Sequence, residues 1–553
     1  MNIRGPLIIQ SDYTFLLEVE HDQYADCRDF LVLFTELVKS PEFIHTYKVT
    51  PLSLWNAAAL HITLEHIMGG LERFSKYTIP GNVLLVIKEW YEQYGKLVLE
   101  KVDENLLRLS IEDAMIFERI AQDDSLKSFW KGREKNALFL EIHDRGNIKH
   151  ALIKVGYPIH DLCGYLKGEH FDIALRDIDL QGKVFSLRAY QKEAIESFYQ
   201  SGTTGGGNGI IVLPCGSGKT IIGLGTIAAI SNCTLIITTN NVSVHQWRNE
   251  LIQKTMVNPE DVGEFTGAIK EIKPITITTY QMLTYRKSAS SPMENLTIFT
   301  KRNWGLIIYD EVHTLPAPVF RATTEIQAKR RLGLTATLVR EDGKEDDVFA
   351  LIGPKRYDVP WKILENLGFI AEANCFEIRV KFDTKREREY VFADKRSRYR
   401  IAAENSKKIS LVQELLEKHK HDKVLIIGQY ITQLDLVASL LHLPVIMGKT
   451  KNEDREKIYN QFRSGEISVL LVSKVANFAV DLPDANVLIQ ISGSYGSRQE
   501  EAQRLGRILR PKKNASYFYS LVTHNSDEQD FSSNRQLFLV EQGYKYNIHY
   551  YGG

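Results

Sequence analysis

Residues 210–220 read IIVLPCGSGKT, an apolar run that leads into a glycine-rich loop, and IIGLGTIAAI (221–230) follows with helical spacing. A strand, such a loop and a helix in this order place backbone amides and a helix N-terminus around phosphate oxygens. Lys219 is then predicted to reach the β- and γ-phosphates, and Thr220 to hold Mg²⁺. Leu213 stands where the usual pattern has its first glycine. The predicted phosphate-binding loop comprises Pro214, Cys215, Gly216, Ser217 and Gly218.

Short apolar runs of strand type recur on both sides of a charged stretch. The first set comprises IIVLP (210–214), TLIITT (234–239), ITITTY (275–280), LIIYDE (306–311) and RLGLTAT (331–337). The second set comprises KVLIIGQ (423–429), LPVIMG (443–448), VLLVSK (469–474), VLIQIS (487–492) and YFYSLV (517–522). Buried strands that alternate with helices predict parallel sheets. The predicted fold class is therefore α/β, with tandem parallel-sheet domains at 183–365 and 411–553 and a charged, helical connecting region at 366–410.

Two small α/β domains are predicted in front of this pair. Within residues 1–110, two helical patterns precede KLVLEKVDENLLRLSI (96–111), which is typical of a hairpin that turns at residues 103–105. Helices followed by a hairpin indicate a winged-helix-like accessory domain, a class that binds DNA or protein. Residues 111–182 alternate short helix and strand patterns, which predicts a second small domain.

Composition limits the class of protein. The 553 residues are 44% hydrophobic and 25% charged, as in ordinary globular proteins. Lysine plus arginine and aspartate plus glutamate number 69 each, so any contact with nucleic acid must come from a local basic patch. The five cysteines form no CxxC or Cys/His cluster, which argues against zinc, iron–sulfur and disulfide sites. We find no signal peptide or membrane-spanning run, and therefore expect a cytoplasmic protein without membrane contact.

A second apolar strand ends in acidic residues. LIIYDEVHTL (306–315) places Asp310 where it can bind Mg²⁺ through the water shell of the metal, and Glu311 where it can polarise an attacking water. Taken with Lys219, this pair predicts a site that hydrolyses a nucleoside triphosphate.

Two further stretches carry candidate nucleotide-binding residues. In FSLRAYQKEAI (185–195), Gln191 is placed to read an adenine edge with support from Arg188. In AQRLGRILRPKK (502–513), the arginines at 504, 507 and 510 are predicted to share one helix face. Arginines that face the phosphate loop of the other domain would stabilise transition-state charge; the ordinary alternative is a basic helix packed on its own acidic neighbours.

The connecting region contains a basic segment, TKREREYVFADKRSRYRIAAENSKK (384–408). Nine Lys/Arg and four Asp/Glu give it a local excess of five positive charges, with Tyr390, Phe392 and Tyr399 interleaved. Charge combined with aromatic residues suits a helical arm on a nucleic-acid backbone, whereas a charge run alone indicates a solvated helical hairpin. The candidate contacts are Lys395, Arg396 and Arg398.

These motifs together resemble a known family. PCGSGKT (214–220), DEVH (310–313), TAT (335–337) and QRLGRILR (503–510) are similar to the motifs of superfamily 2 helicases, which have two tandem RecA-like domains. More particular stretches are RED (340–342), LVSKVANFAVDLPDANVLIQIS (471–492), GSYGSRQEEAQRLGRILRPKK (493–513), TPLSLWNAAA (50–59) and GYPIHDLCGYL (156–166). With them, nearly the whole chain resembles the XPB-like helicases, the xeroderma pigmentosum group B family, and especially its compact prokaryotic members.

The resemblance implies 3′ to 5′ movement on DNA driven by ATP and Mg²⁺, with opening or remodelling of duplex or forked DNA in repair, such as nucleotide excision repair, or in transcription. It implies a nucleoid-associated protein with a nuclease or a repair or transcription complex as partner. It also implies a damage-recognition-like domain at 111–182 and a thumb-like insertion within 366–410.

The resemblance further implies roles for individual residues. Gln191 and Arg188 would hold adenine, and His313 would couple hydrolysis to DNA. Thr335 and Thr337 would relay between nucleotide and DNA. The second domain would complete the site with Asp481, Gln503, Arg507 and Arg510.

The triplet Arg340, Glu341 and Asp342 leaves the strand that ends in TAT. Its spacing predicts a position at the edge of the DNA-facing cleft, where it would meet bases at a fork or pair with basic residues of the second domain. Two other functions stay open at this point, because the core motifs do not separate RNA from DNA: an RNA helicase, and an ATP-gated duplex DNA translocase or clamp that separates no strands.

Overall fold

The computed structural model describes residues 5–40, 43–214, 216–288, 291–327, 329–338, 345–382, 384–473, 485–510, 512 and 515–552. Within these ranges the side chains of Arg321, Arg396 and Asn452 are not described. In the described part of the chain, four sheets follow one another, two small ones in front and two seven-stranded ones behind.

The N-terminal sheet has four antiparallel strands in the order β1-β2-β4-β3. Its strands are β1 (Leu7–Ile9), β2 (Thr14–Glu18), β3 (Glu36–Lys39) and β4 (Ile44–Lys48). Its helices are α1 (Tyr24–Leu31), α2 (Pro51–Ala59), α3 (Leu64–Phe74) and α4 (Gly81–Gln93). Helix α2 begins where it does because Thr50 and Ser53 cap it reciprocally, each side-chain oxygen accepting the other's backbone N–H at 3.1 Å.

A five-stranded sheet follows, in the order β7-β8-β6-β5-β9. Its strands are β5 (Leu97–Lys101), β6 (Leu106–Ile111), β7 (Gly132–Glu134), β8 (Ala137–Glu141) and β9 (Ile159–Asp161), and its helices are α5 (Ala114–Gln122) and α6 (Arg145–Lys154). The predicted hairpin is present, since β5 and β6 pair antiparallel. It is not the wing of the preceding module, however, because β6 pairs with β8 and β5 pairs with β9. This pairing crosses residue 110; the predicted boundaries at 110, 182, 365 and 410 stay predictions.

The first parallel sheet has the strand order β12-β13-β11-β14-β15-β10-β16. Its strands are β10 (Asn208–Val212), β11 (Thr234–Thr238), β12 (Val262–Phe265), β13 (Ile275–Thr279), β14 (Leu306–Asp310), β15 (Arg330–Thr335) and β16 (Lys355–Asp358). Its helices are α7 (Ala189–Tyr199), α8 (Lys219–Ile230), α9 (Asn241–Lys254), α10 (Tyr280–Leu283), α11 (Ile298–Lys301), α12 (Ala317–Glu325), α13 (Glu345–Leu351) and α14 (Trp361–Asn366).

The second parallel sheet has the order β19-β20-β18-β21-β22-β17-β23. Its strands are β17 (Ala373–Val380), β18 (Val424–Gly428), β19 (Val445–Ile446), β20 (Val469–Ser473), β21 (Val487–Gln490), β22 (Ser516–Thr523) and β23 (Tyr546–Tyr551). Its helices are α15 (Thr384–Phe392), α16 (Lys395–Ala403), α17 (Lys407–Lys418), α18 (Ile431–Leu441), α19 (Asn452–Ser464), α20 (Arg498–Gly506) and α21 (Asp527–Glu541). Strand β17 lies in the stretch predicted as a connecting region, yet it pairs with β22 and β23.

The predicted tandem parallel-sheet architecture is confirmed, and it has a simple physical basis. Strands such as β10, β11 and β13 are buried along their whole length because helices cover both faces. In the first parallel sheet β10 lies next to β15, and β15 lies next to β14. The carboxyl ends of these three strands therefore meet at one edge of the sheet, which brings together segments that are far apart in sequence.

The front of the chain packs against both parallel sheets. Asn56 Oδ1 accepts the backbone N–H of Lys355 at 3.0 Å, and Arg498 Nη1 donates to Leu37 O at 3.5 Å. A cavity of about 250 Å³ remains where these three parts meet. In the five-stranded sheet, Lys149 Nζ donates to Gln327 Oε1 of the first parallel domain at 3.0 Å.

Across the described part of the chain, every helix is too short or too polar to traverse a lipid bilayer.

Candidate active site

The glycine-rich loop has the backbone that its sequence predicts. Gly216 and Gly218 have φ angles of +82° and +86°, in the left-handed region that favours glycine. A Cβ on Gly218 would lie 2.8 Å from Gln191 Nε2, so a side chain there would also displace the Gln191 amide. Ser217 Oγ closes the loop by donating to Pro214 O at 2.7 Å. Helix α8 begins immediately afterwards, at Lys219, so its N-terminal amides face the cleft.

Lys219 lies between this loop and the acidic strand end. Its Nζ is 3.3 Å from Leu213 O and 3.9 Å from Glu311 Oε1. Thr220 lines the same cleft, as Asp310 and Glu311 do. The structure thus brings together the loop and strand residues that the sequence analysis singled out.

Asp310 is held by two hydrogen bonds. Its Oδ2 accepts Trp247 Nε1–H at 2.9 Å, and its Oδ1 accepts the backbone N–H of Glu311 at 3.1 Å. Burial, and then the charge of Glu311, raise the pKa of Asp310 to about 6, while the indole N–H opposes the rise. The two hydrogen bonds therefore fix the orientation of the carboxylate. Its raised pKa means that a nearby cation would stabilise the ionised form.

Glu311 has a left-handed backbone conformation and a buried carboxylate oxygen. Its φ of +50° and ψ of +53° place it in the left-handed region, where non-glycine residues are strained. Its Oε2 is buried, and no group among the described residues donates a hydrogen bond to it. A buried carboxylate oxygen of this kind is suited to accept a hydrogen bond from a water molecule in the cleft.

A buried relay connects this strand end to the next one. His313 Nδ1 lies 2.6 Å from Thr335 Oγ1, and Thr335 Oγ1 donates to Thr337 O at 2.5 Å. Because the single hydroxyl proton goes to Thr337, His313 Nδ1 must be the donor to Thr335. His313 Nδ1 also lies 3.6 Å from Glu311 Oε2. His313 thus lies between Glu311 and the end of β15.

The second parallel sheet supplies the opposite wall of the cleft, which encloses about 1300 Å³. Gln503, Arg507 and Arg510 line it, and Arg510 Cγ lies 3.6 Å from where a Cβ on Gly216 would be. The expectation that three arginines share a helix face was wrong, because α20 ends at Gly506. Arg504 points into the core instead, fully buried, and donates to Gln490 and Glu500.

Gln191 and Arg188 lie behind the loop. Gln191 is buried; its Nε2 donates to Ser217 O at 3.2 Å and its Oε1 accepts Arg188 N–H at 2.9 Å. The Arg188 guanidinium lies over the Phe369 ring at 5.2 Å, and Tyr190 packs on the same ring at 5.0 Å. Phe369 and Trp247 contact the candidate site residues Arg188 and Asp310. The sequence analysis missed both, since a lone aromatic residue in a helix or turn carries no motif signal.

Comparison with known proteins gives the family. A family model described as "ERCC3/RAD25/XPB C-terminal helicase" matches residues 364–550, one described as "Type III restriction enzyme, res subunit" matches residues 184–340, and one described as "Helicase conserved C-terminal domain" matches residues 7–135. The chain is 47% identical to "DNA 3'-5' helicase XPB" of Kineococcus radiotolerans over 98% of this chain and 96% of that protein. The chain belongs to the XPB family of helicases.

Other XPB relatives span bacteria and eukaryotes. The protein of the same name from Mycobacterium tuberculosis is 46% identical over 98% of this chain and 97% of its own length. The "General transcription and DNA repair factor IIH helicase/translocase subunit XPB" of Schizosaccharomyces pombe is 33% identical over 97% of this chain and 75% of its own length. Among solved structures, the DUF1998 helicase MrfA bound to DNA is 16% identical with a TM-score of 0.48, over 69% of this chain and 54% of that chain.

The basic segment of this XPB-family chain forms the helical hairpin α15–α16. Lys395 is exposed. Arg398 is engaged within the hairpin, where it donates to Ala393 O at 3.0 Å and Val391 O at 2.9 Å. Some of the predicted site residues lie outside the described residues, namely Cys215, Arg340, Glu341, Asp342, Asp481 and the side chain of Arg396.

The residues of the XPB-family site fit a nucleoside triphosphate with a divalent cation. The positive-φ loop and the start of α8 offer amides to phosphate oxygens. Thr220 and Asp310 supply the oxygen ligands that Mg²⁺ prefers. The unsatisfied Oε2 of Glu311 is suited to the attacking water.

Proposed function

We propose that this protein is an ATP-dependent 3′ to 5′ DNA helicase or translocase that opens or remodels duplex DNA in repair or transcription. The observation that carries the proposal is the composition of one cleft. Lys219 and Glu311 stand 3.9 Å apart on one wall, and Arg507 and Arg510 stand on the other. Membership of the XPB family supports DNA as the nucleic acid, because the bacterial relatives are named DNA 3'-5' helicases.

In the hydrolytic step, Lys219 and the loop amides hold the β- and γ-phosphates of ATP. Thr220 and Asp310 are the residues that would hold Mg²⁺. When bound, Mg²⁺ would supply positive charge that offsets the negative charge of the phosphate oxygens. Glu311 orients the attacking water through its buried Oε2 and accepts the proton. Arg507 and Arg510, with Gln503 beside them, stabilise the charge on the transferred phosphoryl group.

Domain closure follows from contacts to phosphate on both walls. The γ-phosphate joins the two parallel sheets while it is present, so closure is favoured before hydrolysis and lost after it. His313 and Thr335 carry the state of Glu311 to Thr337 at the carboxyl end of β15. If the grip on DNA differs between the two states, each cycle moves the strand.

The remaining roles are proposals of the same kind. Gln191 and Arg188 hold adenine, which requires Gln191 to exchange its contact with Ser217 for the base. The Arg340–Asp342 triplet and Asp481 act at the DNA and nucleotide edges of the cleft. We also propose association with the nucleoid and a nuclease or repair or transcription complex as partner.

ATP hydrolysis measured with duplex DNA, single-stranded DNA, RNA and no nucleic acid tests the proposal. We expect stimulation by DNA, loss of turnover in Lys219→Ala, and displacement of a strand from a duplex with a 3′ overhang but not a 5′ overhang. Stimulation by RNA alone would make the protein an RNA helicase. ATP-dependent retention on duplex DNA without strand displacement would make it a translocase or clamp.

A further inference from the structure

Two tyrosines meet at the carboxyl edge of the second parallel sheet. Tyr430 follows β18 and Tyr495 follows β21. These strands are neighbours and run parallel, so the residues after them emerge side by side. The two hydroxyl oxygens lie 3.4 Å apart. Both residues lie outside the ATP cleft described above.

The Tyr495 ring packs against two other aromatic rings and is still more than half exposed. It packs against Tyr399 with ring centres 4.5 Å apart and against the edge of Phe531 at 5.6 Å. Tyr399 is itself buried, and its hydroxyl donates to Gly493 O at 2.6 Å. Even so, 56% of Tyr495 remains exposed. A large ring that is fixed in place while more than half accessible is pre-organised for stacking, because little side-chain freedom is lost on binding.

One arginine, which is ion-paired with Glu404, lies beside this aromatic pair. The Arg400 guanidinium lies 5.7 Å from the centre of the Tyr430 ring. It is fixed by Glu404 Oε1 at 3.2 Å and by Thr432 Oγ1 at 3.2 Å. Arg400 belongs to α16, so the basic hairpin stands directly beside the tyrosines. Exposed aromatic rings beside cations are the features with which proteins hold unpaired nucleic-acid strands.

We propose that Tyr430, Tyr495 and Arg400, here called the tyrosine platform, bind an unpaired DNA strand by stacking a base on Tyr495. Arg400 then faces the phosphate next to that base. The inference deepens the proposed function, on which it rests, by giving the second parallel sheet its own contact with the separated strand. Stacking does not distinguish one base from another, which suits movement along any sequence.

The test compares variants of the full-length protein. Tyr495→Ala removes the ring, whereas Tyr495→Phe keeps the ring and loses only the hydroxyl. Tyr550→Ala is the matched control, because Tyr550 is 60% exposed on the edge strand of the same sheet and also has an arginine, Arg379, 5.7 Å from its ring. Each variant is measured for affinity to oligo-dT, to an abasic strand of the same length and to duplex DNA, and for thermal unfolding.

We expect Tyr495→Ala to bind oligo-dT about 10-fold to 100-fold more weakly. Its affinity for the abasic strand and for the duplex, and its DNA-free ATP hydrolysis, should be unchanged. Tyr495→Phe and Tyr550→Ala should bind like the parent. Unaltered binding of oligo-dT by Tyr495→Ala would overturn the platform, as would an equal loss on the abasic strand. If the parent itself neither binds DNA nor is stimulated by it, the proposed function fails, which is a distinguishable result.

Discussion

Replacing Asp161 with asparagine should destabilise the five-stranded sheet strongly. The Asp161 carboxylate accepts Arg145 Nε–H at 3.0 Å, Arg145 Nη2–H at 2.9 Å and Lys149 Nζ–H at 3.1 Å. All three side chains are at most 5% exposed. The substitution removes the only negative charge that either cation contacts among the described residues. An uncompensated buried charge costs about 3–5 kcal/mol, so we expect a loss of that size.

The loss should depend on pH. Burial lowers the pKa of Lys149 to about 8, although Asp161 opposes the fall, so removing Asp161 lowers this pKa further. A lysine whose pKa is lower in the folded protein than in the unfolded chain makes stability rise with pH. The deficit of the variant should therefore be largest below the lowered pKa of its Lys149, and it should shrink by about 1.4 kcal/mol for each pH unit between that pKa and about pH 8.

Hydrogen exchange of amides in β5, β6 and β8 measures this local opening at pH 6.5 and pH 8.5. Asp124→Asn is the matched control, since Asp124 pairs with Lys127 at 2.6 Å but the two side chains are 94% and 57% exposed. We expect that control to cost less than about 1 kcal/mol. Equal costs for the two variants, or a deficit at Asp161 that ignores pH, would refute the reasoning. ATP hydrolysis without DNA should survive in both proteins.

Three further predictions concern the cleft and the hairpin. Glu311→Gln should keep ATP binding and lower kcat about 100-fold or more, because a general base is lost; filter binding and steady-state turnover measure the two, and normal turnover would remove Glu311 from the mechanism. Trp247→Phe removes a hydrogen bond to the Asp310 carboxylate, whose pKa is already raised to about 6. The acid limb of the ATPase pH profile should move up by about one unit, and an unmoved limb would contradict this. Arg388 on α15 and Lys395 on α16 are both exposed on the basic hairpin. Arg388→Gln with Lys395→Gln should lower the log–log salt slope of DNA binding by about 1.5, whereas an unchanged slope indicates a solvated hairpin.

The sequence predicted most of what lies close together along the chain. The loop at 214–220 and the acids at 310–311 are local motifs on buried strands, and parallel strands bring their carboxyl ends to one edge. The sequence did not predict which strands pair over long distances. Residues 97–111 read correctly as a hairpin, but only the partners β8 and β9 show that it belongs to the five-stranded sheet.

The sequence also did not predict the direction in which some side chains point. The arginines at 504, 507 and 510 are evenly spaced, but helix α20 ends between the first and the second of them. Arg504 therefore points into the core while the other two reach the cleft. Trp247 gave no signal because its role depends on a contact across 63 residues of sequence. Such contacts are set by packing, which a motif does not encode.

Because the N-terminal sheet packs on both parallel sheets, the two parallel domains alone are not a self-contained unit. Strand β3 lies against α21, and Leu37 and Phe538 belong to one apolar cluster. Burial raises the pKa of Glu541, at the end of α21, to about 7. A shortened protein that begins at residue 183 would expose Phe538 to solvent. It would also hydrate Glu541, so the pKa of this carboxyl would fall. Replacing the N-terminal sheet with a module from another protein would therefore alter the packing of both parallel sheets.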